Sequence, residues 1–374
     1  MTRLRDWNWR YILAIGALCV AVGGIGTLLF AFSGIYNVAA SQGHWWITNR
    51  LLTVGMRASV RTHSLGIERP ALNDPNMVRL GAAHFEGGCA VCHGSPLGGG
   101  TPIAAHMLPQ PPRLDLLVPH WDDEELFWIV KHGLKYTSMP GWVGFDRNDE
   151  IWAVVAFLRQ LPGMGTAKYS ELAKGGVPVT EIPPQQLVAR GAVSRSLTAC
   201  GNCHGIGGQP PLSNLVPRLD GQPEEYLYRQ LAAYAKNMRQ SGYMEPVAAA
   251  LDAAQMREIA RFYANSTPVP GPESDTADDP QRRKLGHRIA TQGVPERGIP
   301  ACDGCHNAQA TALYPRLRGQ HGAYLAAQLR LWQTGGRREG DLAAIMMPIA
   351  QRLTEEETQA VAHYYDSLPP ASGP

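Results

Sequence analysis

Six of the seven cysteines in this 374-residue chain fall in a single arrangement used three times. Cys89/Cys92, Cys200/Cys203 and Cys302/Cys305 share one spacing, and each pair is followed at once by a histidine: His93, His204 and His306. With 12 histidines in the chain, three such followers by chance have odds of about 3 in 100,000, and Cys-x-x-Cys-His is the pattern by which a c-type haem is attached. Two cysteines three positions apart lie on one side of a helical turn, so both thiols can reach the two vinyl groups of one porphyrin. The next residue then brings an imidazole nitrogen to the iron. Covalent attachment suits units too small to enclose a cofactor with side chains alone. The expected cofactors are three covalently bound haem c groups, each with its iron.

Other readings of the pairs explain less. A zinc ribbon needs two cysteine pairs per site, whereas each pair here stands by itself. A thioredoxin-like dithiol belongs in a βαβ setting, which the sequence lacks. Structural disulfides would leave the three histidines unexplained. The seventh cysteine, Cys19, follows Leu18 inside an apolar run. A lipidated cysteine normally follows a small residue, so Cys19 reads as an inert apolar side chain.

That apolar run is the expected anchor. Residues 11–43 carry no charge, and 11–35 are mostly apolar, enough to cross a bilayer core with some tilt. Arg3, Arg5 and Arg10 precede it and place the N-terminus in the cytoplasm. Val38-Ala39-Ala40 offers a signal-peptidase-like site, but the run is far longer than the core of a cleaved signal. The expected location is therefore the bacterial inner (cytoplasmic) membrane, single-pass, with everything that follows facing the periplasm. Segment 47–64 carries Arg50, Arg57 and Arg61 and has an amphipathic pattern. It suits a helix on the membrane surface or one packed on the first unit or on a partner.

The clusters lie about 100 residues apart, the size of a small domain. Breaks rich in Pro, Gly and Ser separate them. The expected division is 1–43 for the cytoplasmic tip and anchor, 44–71 juxtamembrane, 72–165 first unit, 166–184 linker, 185–266 second unit, 267–280 linker, and 281–370 third unit. The second and third units repeat each other: Pro217-Arg218-Leu219-Asp220-Gly221-Gln222 matches Pro315-Arg316-Leu317-Arg318-Gly319-Gln320, and Met244-Glu245-Pro246-Val247-Ala248 matches Met346-Met347-Pro348-Ile349-Ala350. The first unit is expected to lack these signatures. Ile151, Val154, Val155 and Leu158 recur at helical spacing, and Thr354 with Glu357 forms a capping box. Strand-like alternation is scarce. The fold class is all-α: an N-terminal transmembrane helix followed by three small helical domains.

Each iron needs a ligand opposite its histidine. Met139 lies in a loop, and Met244 and Met346 each follow their unit's histidine by 40 residues within the shared Met-x-Pro frame. Met346 is thereby preferred to Met347. His106, His120 and His132 are the alternatives in the first unit. His84, His287, His321 and His363 are expected on the surface or on helix faces.

These residues resemble class I c-type cytochromes, in which a helical fold holds a haem between histidine and a loop methionine. The second and third units are similar to the tandem two-haem cytochromes of bacterial periplasms. The first, with 125–133 and Ser138-Met139-Pro140, resembles cytochrome domains that accompany bacterial dehydrogenases or oxidases. In haem count the whole is similar to the three-haem subunit of membrane-bound alcohol and aldehyde dehydrogenases, from which its transmembrane segment sets it apart. The resemblance implies an electron carrier with no catalytic site of its own. Its expected partners are a periplasmic or membrane-bound dehydrogenase or a quinol-oxidising complex as donor, a soluble cytochrome or terminal oxidase as acceptor, and the lipid bilayer. The competing reading is a peroxidase or small-molecule reductase with one open haem site. A net charge of +2 gives no reason to expect nucleic acid. The glycine runs lack the lysine and hydroxyl of a phosphate loop.

Overall fold

The computed structural model describes residues 9–175, 197, 199–268, 279–307, 311–338 and 340–370. The residues before 9, the start of the expected second unit, parts of both expected linkers and the last four residues lie outside these. The described residues are helix and loop, with isolated bridges in place of strands.

The N-terminal helix, Trp9–Phe32, has 24 residues, none of them buried. At 1.5 Å per residue it is about 36 Å long, enough for a bilayer core of about 30 Å. By length and composition it can cross a membrane, a property a signal sequence shares. The next helix, Trp46–Ser64, packs on the first unit through Val60, which is fully buried, and lies along helix Asp123–His132. Arg57 sits 5.3 Å over the Trp121 ring, and Arg61 lies 3.5 Å from Glu125. Trp46, Leu51 and Val54 remain exposed on its other side.

The first and third units are built on the same crossing of two helices. In the first, Pro75–His84 crosses Asn148–Gln160; in the third, Pro280–Gln292 crosses Glu355–Asp366. Each crossing has a glycine at its closest point. A Cβ on Gly81 would lie 1.9 Å from the Ala153 carbonyl oxygen, and one on Gly286 would lie 2.0 Å from that of Ala360. Any side chain there would force the helices apart. Ile151, Val154, Val155 and Leu158 are all buried against this crossing. The capping box of Thr354 with Glu357 is present, and Asp122 with Glu125 forms another at the start of helix Asp123–His132.

The first unit runs past its expected end. Residues from 166 were read as linker, yet Thr166–Lys174 is a helix. Its Tyr169 is fully buried, packs on Phe85 and Phe157, and donates to Glu86 at 2.6 Å. The Gly-rich stretch 163–165 is a turn that folds this helix back onto the same core.

The second and third units face each other about a pseudo-two-fold axis. Gln320 Oε1 accepts from the Arg218 amide at 2.9 Å while its Nε2 donates to the Arg218 carbonyl at 3.0 Å. Gln222 grips the backbone of Arg316 in the same way, at 2.9 and 2.8 Å. The Pro-Arg-Leu-x-Gly-Gln repeat is thus the interface, each glutamine reading the other copy's backbone. A second layer is polar and buried. Arg239 donates to Gln230, Tyr324 and Gln328 at 2.7 Å each, and Arg337 donates to Gln328 and Gln230 at 3.0 and 3.1 Å.

Candidate functional site

The cysteines and histidines of each cluster lie on a short helical turn, as their spacing requires. Cys89 ends a π-helical turn, Phe85–Cys89, that leads into helix Ala90–His93, and Cys302 caps helix Asp303–His306. Burial pushes Cys89 up to about 12 and Cys200, Cys203 and Cys302 up to about 11. A reactive dithiol is favoured by the opposite shift.

The three histidines share one orienting contact. The Nδ1 of His93 donates to the Pro112 carbonyl at 2.8 Å, that of His204 to Pro217 at 2.9 Å, and that of His306 to Pro315 at 3.0 Å. A proline carbonyl can only accept, so the proton sits on Nδ1 and the Nε2 lone pair is left to bind a metal. Burial also lowers the proton affinity of His204 and His306, favouring the neutral imidazole that ligates. Pro217 and Pro315 open the repeated interface motif. Pro112-Arg113-Leu114 gives the first unit a Pro-Arg-Leu at the equivalent place. The first unit keeps only these three residues, since Asp115-Leu116-Leu117 replaces the x-Gly-Gln end of the motif, and they lie across a longer loop from His93.

The methionines follow the same division. Met244 and Met346 line one continuous cavity of about 210 Å³, and Met347 is not among its lining residues. That cavity also reaches Cys200, Cys203, His204, Cys302 and His306. Its boundary is largely apolar, with Leu227, Ile259, Leu325 and Val361 among its walls. Met139 is half-buried against the first core together with Cys89. His106, His120 and His132, the alternatives to it, are exposed. In the second and third units, paired thiols, an imidazole with a directed lone pair, a methionine on the same cavity and largely apolar walls fit a haem c.

Of the histidines expected on surfaces or helix faces, His84, His321 and His363 are buried. His84 belongs to the first unit but lines the cavity of the second. Its ring stacks on Tyr243, beside Met244, with centroids 5.3 Å apart and planes at 5°. Nothing in local spacing signals this contact, since it joins residues of different units.

Helical units with a cysteine pair and a histidine oriented by a proline carbonyl define a haem c electron-transfer protein. The family "Cytochrome C oxidase, cbb3-type, subunit III" matches residues 76–158, and the family "Cytochrome c" matches residues 188–266. The chain belongs to the class I c-type cytochromes and carries covalent haem c. It is similar to the thiosulfate dehydrogenase electron acceptor of Thiomonas intermedia, with 37% identity covering 46% of this chain and 79% of that protein. It is also similar to cytochrome c4 of Thiocapsa roseopersicina, with 34% identity covering 45% of this chain and 86% of that protein. The solved cytochrome c4 of Acidithiobacillus ferrooxidans is 36% identical over 45% of this chain and 98% of its own, with a TM-score of 0.41. These relatives are electron-transfer cytochromes, and the chain is an electron carrier.

Proposed function

We propose that this chain is a three-haem relay tethered by Trp9–Phe32 to the bacterial inner membrane, with its haem units in the periplasm. Electrons enter from a dehydrogenase or quinol-oxidising complex and leave to a soluble cytochrome or terminal oxidase. The observation that carries this reading is the continuous cavity joining the second and third candidate sites and reaching His84 of the first unit. Neighbouring redox centres in one apolar enclosure suit electron transfer, because little solvent has to reorganise when charge moves. That two similar proteins are thiosulfate dehydrogenase electron acceptors supports a dehydrogenase as donor.

In this reading Cys89 and Cys92, Cys200 and Cys203, and Cys302 and Cys305 hold the three haems by thioether bonds. His93 with Met139, His204 with Met244, and His306 with Met346 complete the iron coordination. A haem so ligated supplies a one-electron iron couple, at a potential raised by the methionine. The protein's own part is to orient each imidazole through a proline carbonyl, keep the thioethers in place and exclude water.

Two side-chain ligands leave no open position at any iron, which separates a relay from a peroxidase or reductase. The reduced protein should bind carbon monoxide weakly or not at all, and Met139→Ala, Met244→Ala and Met346→Ala should each open one further haem to it. Ready carbon monoxide binding by the unmodified protein at any haem would favour the enzymatic reading. The donor is tested by gentle solubilisation of membranes and identification of what co-purifies in stoichiometric amount. Recovery of the chain by itself would overturn a stable complex with a dehydrogenase.

A further inference from the structure

The segment that leads into helix Met244–Ala249 is held by the first unit. Glu150, on helix Asn148–Gln160, is 3% exposed. Its carboxylate accepts from Ser241 Oγ at 2.7 Å, from the Gly242 amide at 2.7 Å and from Trp142 Nε1 at 3.2 Å. Arg147 pairs with the same carboxylate at 2.7 Å. Ser241 Oγ in turn accepts from the Met244 amide at 3.1 Å. A two-bond chain therefore runs from a buried carboxylate of one unit to the backbone of the other unit's methionine.

Further contacts close the grip. Gln240 exchanges bonds with Asp146 at 2.9 and 3.1 Å, and Arg147 donates to the Gln240 carbonyl at 3.1 Å. Tyr243 stacks on His84 and lies against the backbone of Gly87, where an added Cβ would stand 2.4 Å from its ring. Gly87 is two residues before Cys89. The cysteine side of the second site leans on the first unit as well, since Cys203 packs against Leu80 and Ala153. Met346 is held differently. Among the described residues, the hydrogen bonds given to helix Gly340–Arg352 come from its own unit, from Gln333 and Arg297.

We infer that Glu150 is a positioning residue for Met244, so that the first unit sets the methionine ligation of the second haem while the third haem stands apart from this control. The inference rests on Met244 being the second haem's ligand. Buried hydrogen bonds to a charged acceptor are strong and directional, and losing the acceptor leaves the Ser241 hydroxyl and the Gly242 amide without their partner. The segment then loses its preferred position, and with it the reach of Met244. Two units with the same His–Met set would thereby carry haems of unequal potential and unequal ligand mobility.

The test compares Met244→Ala, Glu150→Ala and Ser241→Ala in the full haem-loaded chain, after haem analysis confirms that every variant keeps the wild-type haem content. The readouts are the red absorption band of oxidised methionine-ligated haem, carbon monoxide binding and the individual midpoint potentials. Met244→Ala should remove one haem's share of the band. Glu150→Ala should weaken that same share, admit carbon monoxide at one haem and shift one potential, and Ser241→Ala should do so to a smaller extent. If Met244→Ala acts but Glu150→Ala and Ser241→Ala match the wild type, the clamp is wrong. If Met244→Ala leaves the band intact, the ligand assignment fails first and the clamp with it. Ser241→Ala removes only a hydroxyl, so it decides the matter even where Glu150→Ala does not fold.

Discussion

A chain in which Cys200, Cys203, Cys302 and Cys305 are all replaced by alanine should lose cooperative folding in its second and third units while the first stays folded. Without covalent haem the shared cavity of about 210 Å³ has nothing to fill it. The apolar walls would then lose the contacts that cover them, and a small domain has little stability to spare. The units differ in what else supports them. Among the described residues, the buried apolar clusters of the second and third units hold 5 and 6 residues, against 20 in the first. The first unit therefore has a core that stands without its neighbours. Limited proteolysis with mass mapping, beside thermal circular dichroism, reads the difference. A cooperative melt of 197–370 in the haem-free variant would show that protein packing suffices there.

Arg239→Ala should be the most damaging single change at the interface of the second and third units. The Arg239 guanidinium donates to Gln230, Tyr324 and Gln328 from a position 3% exposed. Hydrogen bonds to a buried charged group are worth about 1.5–3 kcal/mol each. Arg337 still serves the two glutamines, so part of the loss is recovered and a net destabilisation of about 3–4 kcal/mol is expected. Urea titration followed by haem absorbance measures it. Because the side chains form one ring, Arg239→Ala and Gln328→Ala should be strongly non-additive when combined. Additive effects would mean that the ring does not act as a unit.

Much of this was legible in order along the chain. The Cys-x-x-Cys-His clusters stand out as candidate haem-attachment sites because their cysteines and histidine are neighbours on one helical turn. The helix starts at Asp122 and Thr354 were readable for the same reason, each cap being closed within four residues. The repeat of the second and third units was visible as a repeat but not as an interface. What Gln222 and Gln320 do depends on a contact 94 to 102 positions away. The first unit's Pro112-Arg113-Leu114 escaped notice because 19 residues separate His93 from Pro112, against 9 between His306 and Pro315. The burial of Thr166–Lys174 was missed because its opening glycines and proline carry the same composition whether they end a domain or turn a helix back onto it.

By itself, then, the sequence determined the attachment chemistry, the helical class and the apolar N-terminal segment. These follow from residue type and short spacing, which survive any arrangement of the units. Only the tertiary structure decided which carbonyl directs each histidine, that Met244 and Met346 line one shared cavity, and that Glu150 of one unit binds the segment before Met244 of the next. Those are meetings in space between distant stretches of chain. Their partners are chosen by how the folded units pack, and no local pattern records that choice.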